Sequence, residues 1–293
     1  MRFSSRLLAV AALAAFAMAP AWARQTVFVS VMPQKQLVEA VGGDKVTVTA
    51  LVSTGKDPHT FEPTPSQVAG LARANVLFAI GMPFEKGLLA RVAAGNPALR
   101  IVDNKAGIKL RLSDAVLELP GEAGHDHEHR AGEPDPHVWT SPPRMKQMAA
   151  QIRDTLAALE PASKAEFERN YQRLATELDQ LDQSIRTTLQ AGQVKRFMVF
   201  HPAWGYFADT YGLQQIPIEY EGKEPGAKTV SRIIQLARQN HIRAIFVQPQ
   251  FSRRAAENIA RAVDARVLPM DDLAPDMISN LKRVAADLAS NQP

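Results

Sequence analysis

The chain has 293 residues, 46% of them hydrophobic and 22% charged, which leaves room for two domains with ordinary cores. Its formal charge is +4, with lysines and arginines scattered rather than run together, which argues against a nucleic-acid partner. Cysteine is absent, which excludes disulfides, thiolate metal sites, cysteine nucleophiles and lipid anchoring through cysteine.

Arg2 and Arg6 precede an apolar run from Leu7 to Met18, and Ala21-Trp22-Ala23 has the small-x-small form of a cleavage site. The run is short of the about 20 residues that cross a bilayer. Residues 1–23 are therefore expected to be a signal peptide removed after Ala23, leaving Arg24 first in a periplasmic protein.

From Thr26 the pattern alternates. Thr26–Val31 reads as a strand, Met32–Val41 as a helix closed by Gly42-Gly43, and Val46–Val52 as a strand. A loop, Ser53–Pro65, carries His59 between Pro58 and Pro63; Ser66 reads as the cap of the next helix. Asn75–Gly81 is almost continuously apolar, as in a strand buried on both faces. A helix over Phe84–Ala94 and a strand over Arg100–Asp103 follow. Residues 105–136 hold glycines, prolines and little periodicity, so a loop is expected there, with a histidine-rich part at 121–133.

Helical periodicity resumes at Pro143–Leu159, breaks at Pro161, and runs again over Ala165–Leu189. There Phe167, Tyr171, Leu174, Leu178, Leu181 and Ile185 recur at spacings of three and four. A second alternating series follows. Strands are expected over Arg196–Phe200, Ile216–Tyr220, Arg243–Gln248 and Arg266–Asp271, the second of them near an edge because of Pro217. Helices are expected around Tyr206–Tyr211, Val230–Asn240, Ala255–Val263 and Met277–Ala289. Alternation of this kind predicts an α/β protein of two βα lobes with mostly parallel sheets, joined by a long rigid helix. The expected division is 24–160 for the first lobe, 161–192 for the linking helix and 193–293 for the second lobe.

Four of the seven histidines fall between residues 125 and 137. Asp-Pro-His occurs twice, at Asp57-Pro58-His59 and Asp135-Pro136-His137, and His201 ends an apolar strand. In open α/β sheets ligands bind beyond the carboxyl ends of the strands. His59, His137, His201 and Asp271 all fall at such ends or in the loops beside them, so a cleft between lobes would gather them around one metal ion. Asp272 is adjacent to Asp271, and Glu62, Glu219 and Glu221 are lesser candidates. Three imidazoles and a carboxylate suit Zn(II) first, with Mn(II) as the second choice. His125, His127 and His129 form an accessory metal-collecting tract. Two other functions use the same residues: an exported zinc hydrolase with water in the fourth position, and a metal buffer or chaperone acting through the histidine-rich loop. The hydrolase lacks a His-Glu-x-x-His helix.

These motifs, with Phe61-Glu62-Pro63, Val138-Trp139, Phe200-His201-Pro202, Tyr206-Phe207, Tyr211-Gly212-Leu213 and Glu221-Gly222-Lys223-Glu224-Pro225, run through nearly all of the mature chain. Together they resemble the ZnuA/TroA-type zinc- and manganese-binding proteins of bacterial ABC importers. The resemblance implies two βα lobes around a rigid helix, metal between them on His59, His137, His201 and Asp271, no catalysis, and delivery to an inner-membrane ABC permease by a monomer. Pro58 replaces the glutamate of some zinc-specific members, Ser141 an aspartate, and Gln248 a glutamate.

Overall fold

The computed structural model describes residues 24–113, 134–219 and 225–292. The expected signal peptide, the histidine-rich loop and Glu221 lie outside them. The first lobe runs β1 (Gln25–Val29), α1 (Met32–Gly42), β2 (Val46–Ala50), α2 (Pro65–Leu71), β3 (Val76–Ala79), α3 (Glu85–Gly95) and β4 (Arg100–Asp103). Two helices follow, α4 (Pro142–Leu159) and α5 (Lys164–Ala191). The second lobe runs β5 (Arg196–Val199), α6 (Gly205–Tyr211), β6 (Gln214–Pro217), α7 (Ala227–Gln239), β7 (Ala244–Val247), α8 (Arg254–Val263), β8 (Arg266–Pro269) and α9 (Met277–Ser290).

Both sheets are four-stranded and parallel, in the orders β2-β1-β3-β4 and β6-β5-β7-β8. The two orders are the same winding repeated. In each, the first strand of the lobe sits inside the sheet and the chain turns to one side and then the other. The apolar strands β3 and β7 are buried along their whole length, as parallel sheets covered on both faces require. Pro217 ends β6 at the sheet edge, where its missing N–H breaks no ladder. The observed β6 begins two residues before the expected strand and ends at Pro217, because the chain bends away at Ile218.

Local chemistry explains the helix ends. Gly43 closes α1 at φ 56°, a left-handed conformation that favours glycine. The start of α2 corrects the expected cap. Thr64, not Ser66, is the N-cap: its hydroxyl accepts from the Gln67 N–H, and Gln67 Oε1 accepts from the Thr64 N–H at 2.9 Å. Thr64-Pro65-Ser66-Gln67 is thus a capping box with proline in the first helical position. The Gln67 amide also donates to the Leu51 carbonyl at 2.7 Å, clamping the base of the loop that carries His59.

Among the described residues, three hydrophobic cores hold the fold. One lies under α2 and α3 on the outer face of the first sheet, and another under α7 and α8 on the outer face of the second. The largest runs continuously from β1 and β3 through α1, α4, α5 and α9 to Phe197 and Val199 of β5. Helix α5 has 28 residues, about 42 Å at the usual rise. It buries Phe167, Leu174, Leu178, Leu181, Ile185 and Leu189 in this shared core. It packs on α1 and α4 on one side and α9 on the other, so it ties the lobes by burial as well as by connection. Truncating one of these leucines to alanine should cost roughly 2–5 kcal/mol.

Candidate metal centre

His201 follows β5, the strand at which the second sheet changes winding direction, where an open α/β fold leaves a crevice. His59 stands in the loop after β2, and His137 opens a single 3-10 turn, Val138–Thr140, ahead of α4. These residues are far apart in sequence, yet one ring nitrogen from each lies within 4.8 Å of the other two. His137 and His201 are buried and His59 is partly buried.

The two Asp-Pro-His segments adopt one local geometry. In each, the aspartate Oδ1 accepts the backbone N–H of the histidine two residues on, at 2.9 Å, around a proline that restricts the turn. The segments then diverge. Asp57 uses Oδ2 to take the Thr60 hydroxyl, whereas Asp135 Oδ1 also reaches the Nδ1 of His137, at 2.7 Å.

His201 has a matching partner in Glu219, whose Oε1 takes its Nδ1. An ionised carboxylate can only accept, so in each neutral ring the proton sits on Nδ1. The Nε2 lone pairs are left facing one another, 3.4 Å apart. Two acceptors at that distance require a shared proton or a cation between them. Tetrahedral zinc with bonds of about 2.0–2.1 Å separates its nitrogen ligands by about 3.3 Å, so the spacing suits a metal. Carboxylates behind ligating histidines fix the tautomer and raise ligand basicity.

The charges follow from this arrangement. Burial works against ionised Asp135, yet the charge and hydrogen bonds of His137, aided by Arg111, hold its carboxyl below the ordinary range. Burial also opposes protonation of His201, but the hydrogen bond and charge of Glu219, then Asp272 and Asp57, raise its pKa above the ordinary imidazole value. The structure separates the two neighbouring aspartates. Asp271 accepts the Leu273 N–H at 2.9 Å, burial raises its carboxyl, and neither it nor Asp272 belongs to the three-histidine group. Asp272 is buried, and its charge acts directly on His137 and His201. Burial pushes its carboxyl up; the two histidines and the Gln250 amide, 3.0 Å away, oppose that push without cancelling it. Glu62 is likewise absent from the group, and Glu219 supports a ring from behind.

Several further residues support the site. Phe251 stacks on His201 with ring centroids 5.0 Å apart. The Trp139 indole donates to the Asp272 carbonyl at 2.6 Å, tying the turn after His137 to the loop after β8. Gln248 accepts from the His201 N–H at 3.2 Å and donates to the His201 carbonyl at 2.7 Å. A glutamate there could not do both while ionised. Ser141 meets Thr210 of α6 at 2.9 Å, another bond between the lobes.

Comparison with known proteins gives the family. The family model described as ZnuA, "Zinc-uptake complex component A periplasmic", matches residues 27–289. The high-affinity zinc uptake system protein ZnuA of Yersinia pestis is 28% identical over 278 residues, covering 87% of this chain and 85% of that protein. A crystal structure of ZnuA is 37% identical with a TM-score of 0.81, over 92% of this chain and 99% of the other. A zinc-bound deletion mutant of ZnuA is 38% identical with the same TM-score and coverage. With a match that runs through both sheets and all three histidines, this chain belongs to the ZnuA family of zinc-uptake components.

Proposed function

We propose that this protein captures Zn(II) in the periplasm on His59, His137 and His201 and hands it to an inner-membrane ABC permease, acting as a monomer without catalysis. Mn(II) is the alternative cargo. The observation that carries the reading is the convergence of three imidazole nitrogens from both lobes, with two of the rings backed by carboxylates. Neutral imidazoles favour zinc over magnesium or calcium, which prefer oxygen shells. For the fourth position we favour Asp272, buried and with its charge acting on two of the histidines, over the expected Asp271, whose Oδ1 takes the Leu273 N–H. A closed shell of this kind speaks against a zinc hydrolase, which keeps one position open. The relatives named for zinc uptake, and the zinc-bound ZnuA structure, support the same cargo.

Residues 1–23 act as the export signal, cleaved after Ala23, and His125, His127 and His129 act as an accessory collector rather than the principal site. The test is a competition titration of metal-free protein with Zn(II) and Mn(II), repeated on His137→Ala. Wild type should hold one metal tightly and prefer zinc, and the variant should lose it. Tight binding that survives in His137→Ala rejects the site.

A further inference from the structure

Asp135 serves two partners at once. Its Oδ1 holds the His137 ring, and its Oδ2 meets Arg111 Nη1 at 3.1 Å. The arginine sits just before the residues outside the description, and its backbone is locked to the same place. The Asp135 N–H donates to the Arg111 carbonyl at 2.9 Å, and Leu112 bridges to Pro134. The far side of Arg111 belongs to the second lobe. Its Nε donates to Asp209 Oδ2 at 3.1 Å, and its N–H donates to the Tyr206 hydroxyl at 3.1 Å. That hydroxyl in turn donates to the Asp135 carbonyl at 2.8 Å.

The fold also clears room for the guanidinium. Gly205, buried at the start of α6, has no side chain where a Cβ would lie 1.8 Å from Arg111 Nη1 and 2.4 Å from its Cζ. Alanine at 205 therefore cannot coexist with the present position of Arg111. A planar fork that meets two carboxylates in different directions is a task for arginine, not for a point-charged lysine.

We infer that Arg111 is a positioning residue for metal binding: braced against Asp209 of the second lobe and seated where Gly205 leaves room, it orients Asp135, which orients His137. The inference rests on the proposed metal site and deepens it. Arg111 touches no metal. It carries the geometry of the second lobe to a ligand of the first.

The experiment compares zinc affinity and the visible spectrum of the cobalt-loaded protein in wild type, Arg111→Lys, Arg111→Ala, Gly205→Ala and Asp209→Asn, with His137→Ala as reference. Losing a partner directly behind a ligating histidine costs about 10- to 100-fold in metal affinity; Arg111 stands one step further out, so Arg111→Ala and Gly205→Ala should lose up to about 10-fold. Arg111→Lys should restore only part of the loss, and Asp209→Asn should lose less than either. The cobalt bands of the Arg111 and Gly205 variants should change, because the field at the metal changes with the angle of the His137 ring. Added methylguanidinium should recover affinity in Arg111→Ala, an effect that a general loss of folding would not show. Gly205→Ala serves if Arg111→Ala folds poorly, since it displaces the guanidinium without removing it. Wild-type affinity and spectrum in all the Arg111 variants, with binding lost in His137→Ala, overturns the inference and leaves the metal site standing. An unchanged cobalt spectrum despite weakened binding also overturns it. Unchanged binding in His137→Ala removes the site itself.

Discussion

The Nε2 atoms of His137 and His201 face each other at 3.4 Å, one presented from the turn before α4 and the other from the end of β5. Each is aimed by a carboxylate on the opposite side of its ring. Neither lobe makes this contact alone, and a cation set off the line between the two nitrogens, about 2.0–2.1 Å from each, satisfies both lone pairs together with His59.

The folded protein alone presents this set, so metal should stabilise it by mass action. At free zinc about a thousandfold above the dissociation constant, the gain is about 4 kcal/mol. For a chain of this size that corresponds to roughly 7 °C in melting temperature. Differential scanning calorimetry with and without Zn(II) should show that rise in wild type and none in His137→Ala.

Zinc affinity should fall as pH drops, and the fall should begin above the ordinary imidazole value. His201 has a raised pKa in the folded metal-free protein, so metal must displace a proton there even when a free imidazole would be neutral. The sign for folding is the reverse. A raised histidine contributes stability to the metal-free protein that is full below the unfolded pKa and is lost as pH rises through the folded one. Glu219→Gln removes the main raising partner. Its affinity profile should shift to lower pH while its plateau weakens by about 10- to 100-fold, as zinc competition titrations across the neutral range would record. A profile that stays put in Glu219→Gln contradicts this account of His201.

Asp272 and Asp271 should part company on mutation. Burial pushes Asp272 up, so its charge strains the metal-free protein and finds its best partner in the metal. Asp272→Asn should raise the melting temperature of metal-free protein and lower zinc affinity by at least about tenfold, about 1.4 kcal/mol. Asp271→Asn should leave affinity within about twofold, because its carboxylate works on the Leu273 N–H. Matched calorimetry and titration of the two variants decide; equal losses of affinity would make both aspartates part of the site.

Gln248→Glu should destabilise at neutral pH. The amide donates to the His201 carbonyl and accepts from the His201 N–H, and an ionised carboxylate keeps only the second of these bonds. The His201 carbonyl keeps the Ala203 N–H at 2.8 Å, so the loss is that of one hydrogen bond, about 0.5–1.5 kcal/mol, and protonation of the glutamate in acid restores the donor. Urea denaturation of wild type and variant should therefore show a gap at neutral pH that narrows as pH falls.

The parallel sheets are legible in the sequence because strands such as Val76–Ala79 and Ala244–Val247 are apolar throughout, which only burial on both faces explains. The histidines are legible because Asp-Pro-His recurs and His201 closes a strand. What escapes is set by distant partners. Periodicity marks the apolar face of α5 but not that it lies in a core shared by both sheets. Thr64 and Ser66 look alike as caps until Gln67 closes the box on Thr64. Asp271 and Asp272 are neighbours in sequence, and their different surroundings are set by the loop after β8, which Trp139 helps to fix by holding the Asp272 carbonyl. Glu219 reads as a spare carboxylate until the bend after β6 brings it behind His201. Arg111 belongs to no motif, and its role emerges only from a glycine and an aspartate of the other lobe.

The most direct test is X-ray absorption at the zinc edge on protein loaded with one equivalent of Zn(II). The account predicts three imidazole nitrogens at about 2.0–2.1 Å with one carboxylate oxygen, and one imidazole fewer in any metal retained by His137→Ala. A wild-type spectrum without imidazole scattering, or one that His137→Ala leaves unchanged, would contradict it.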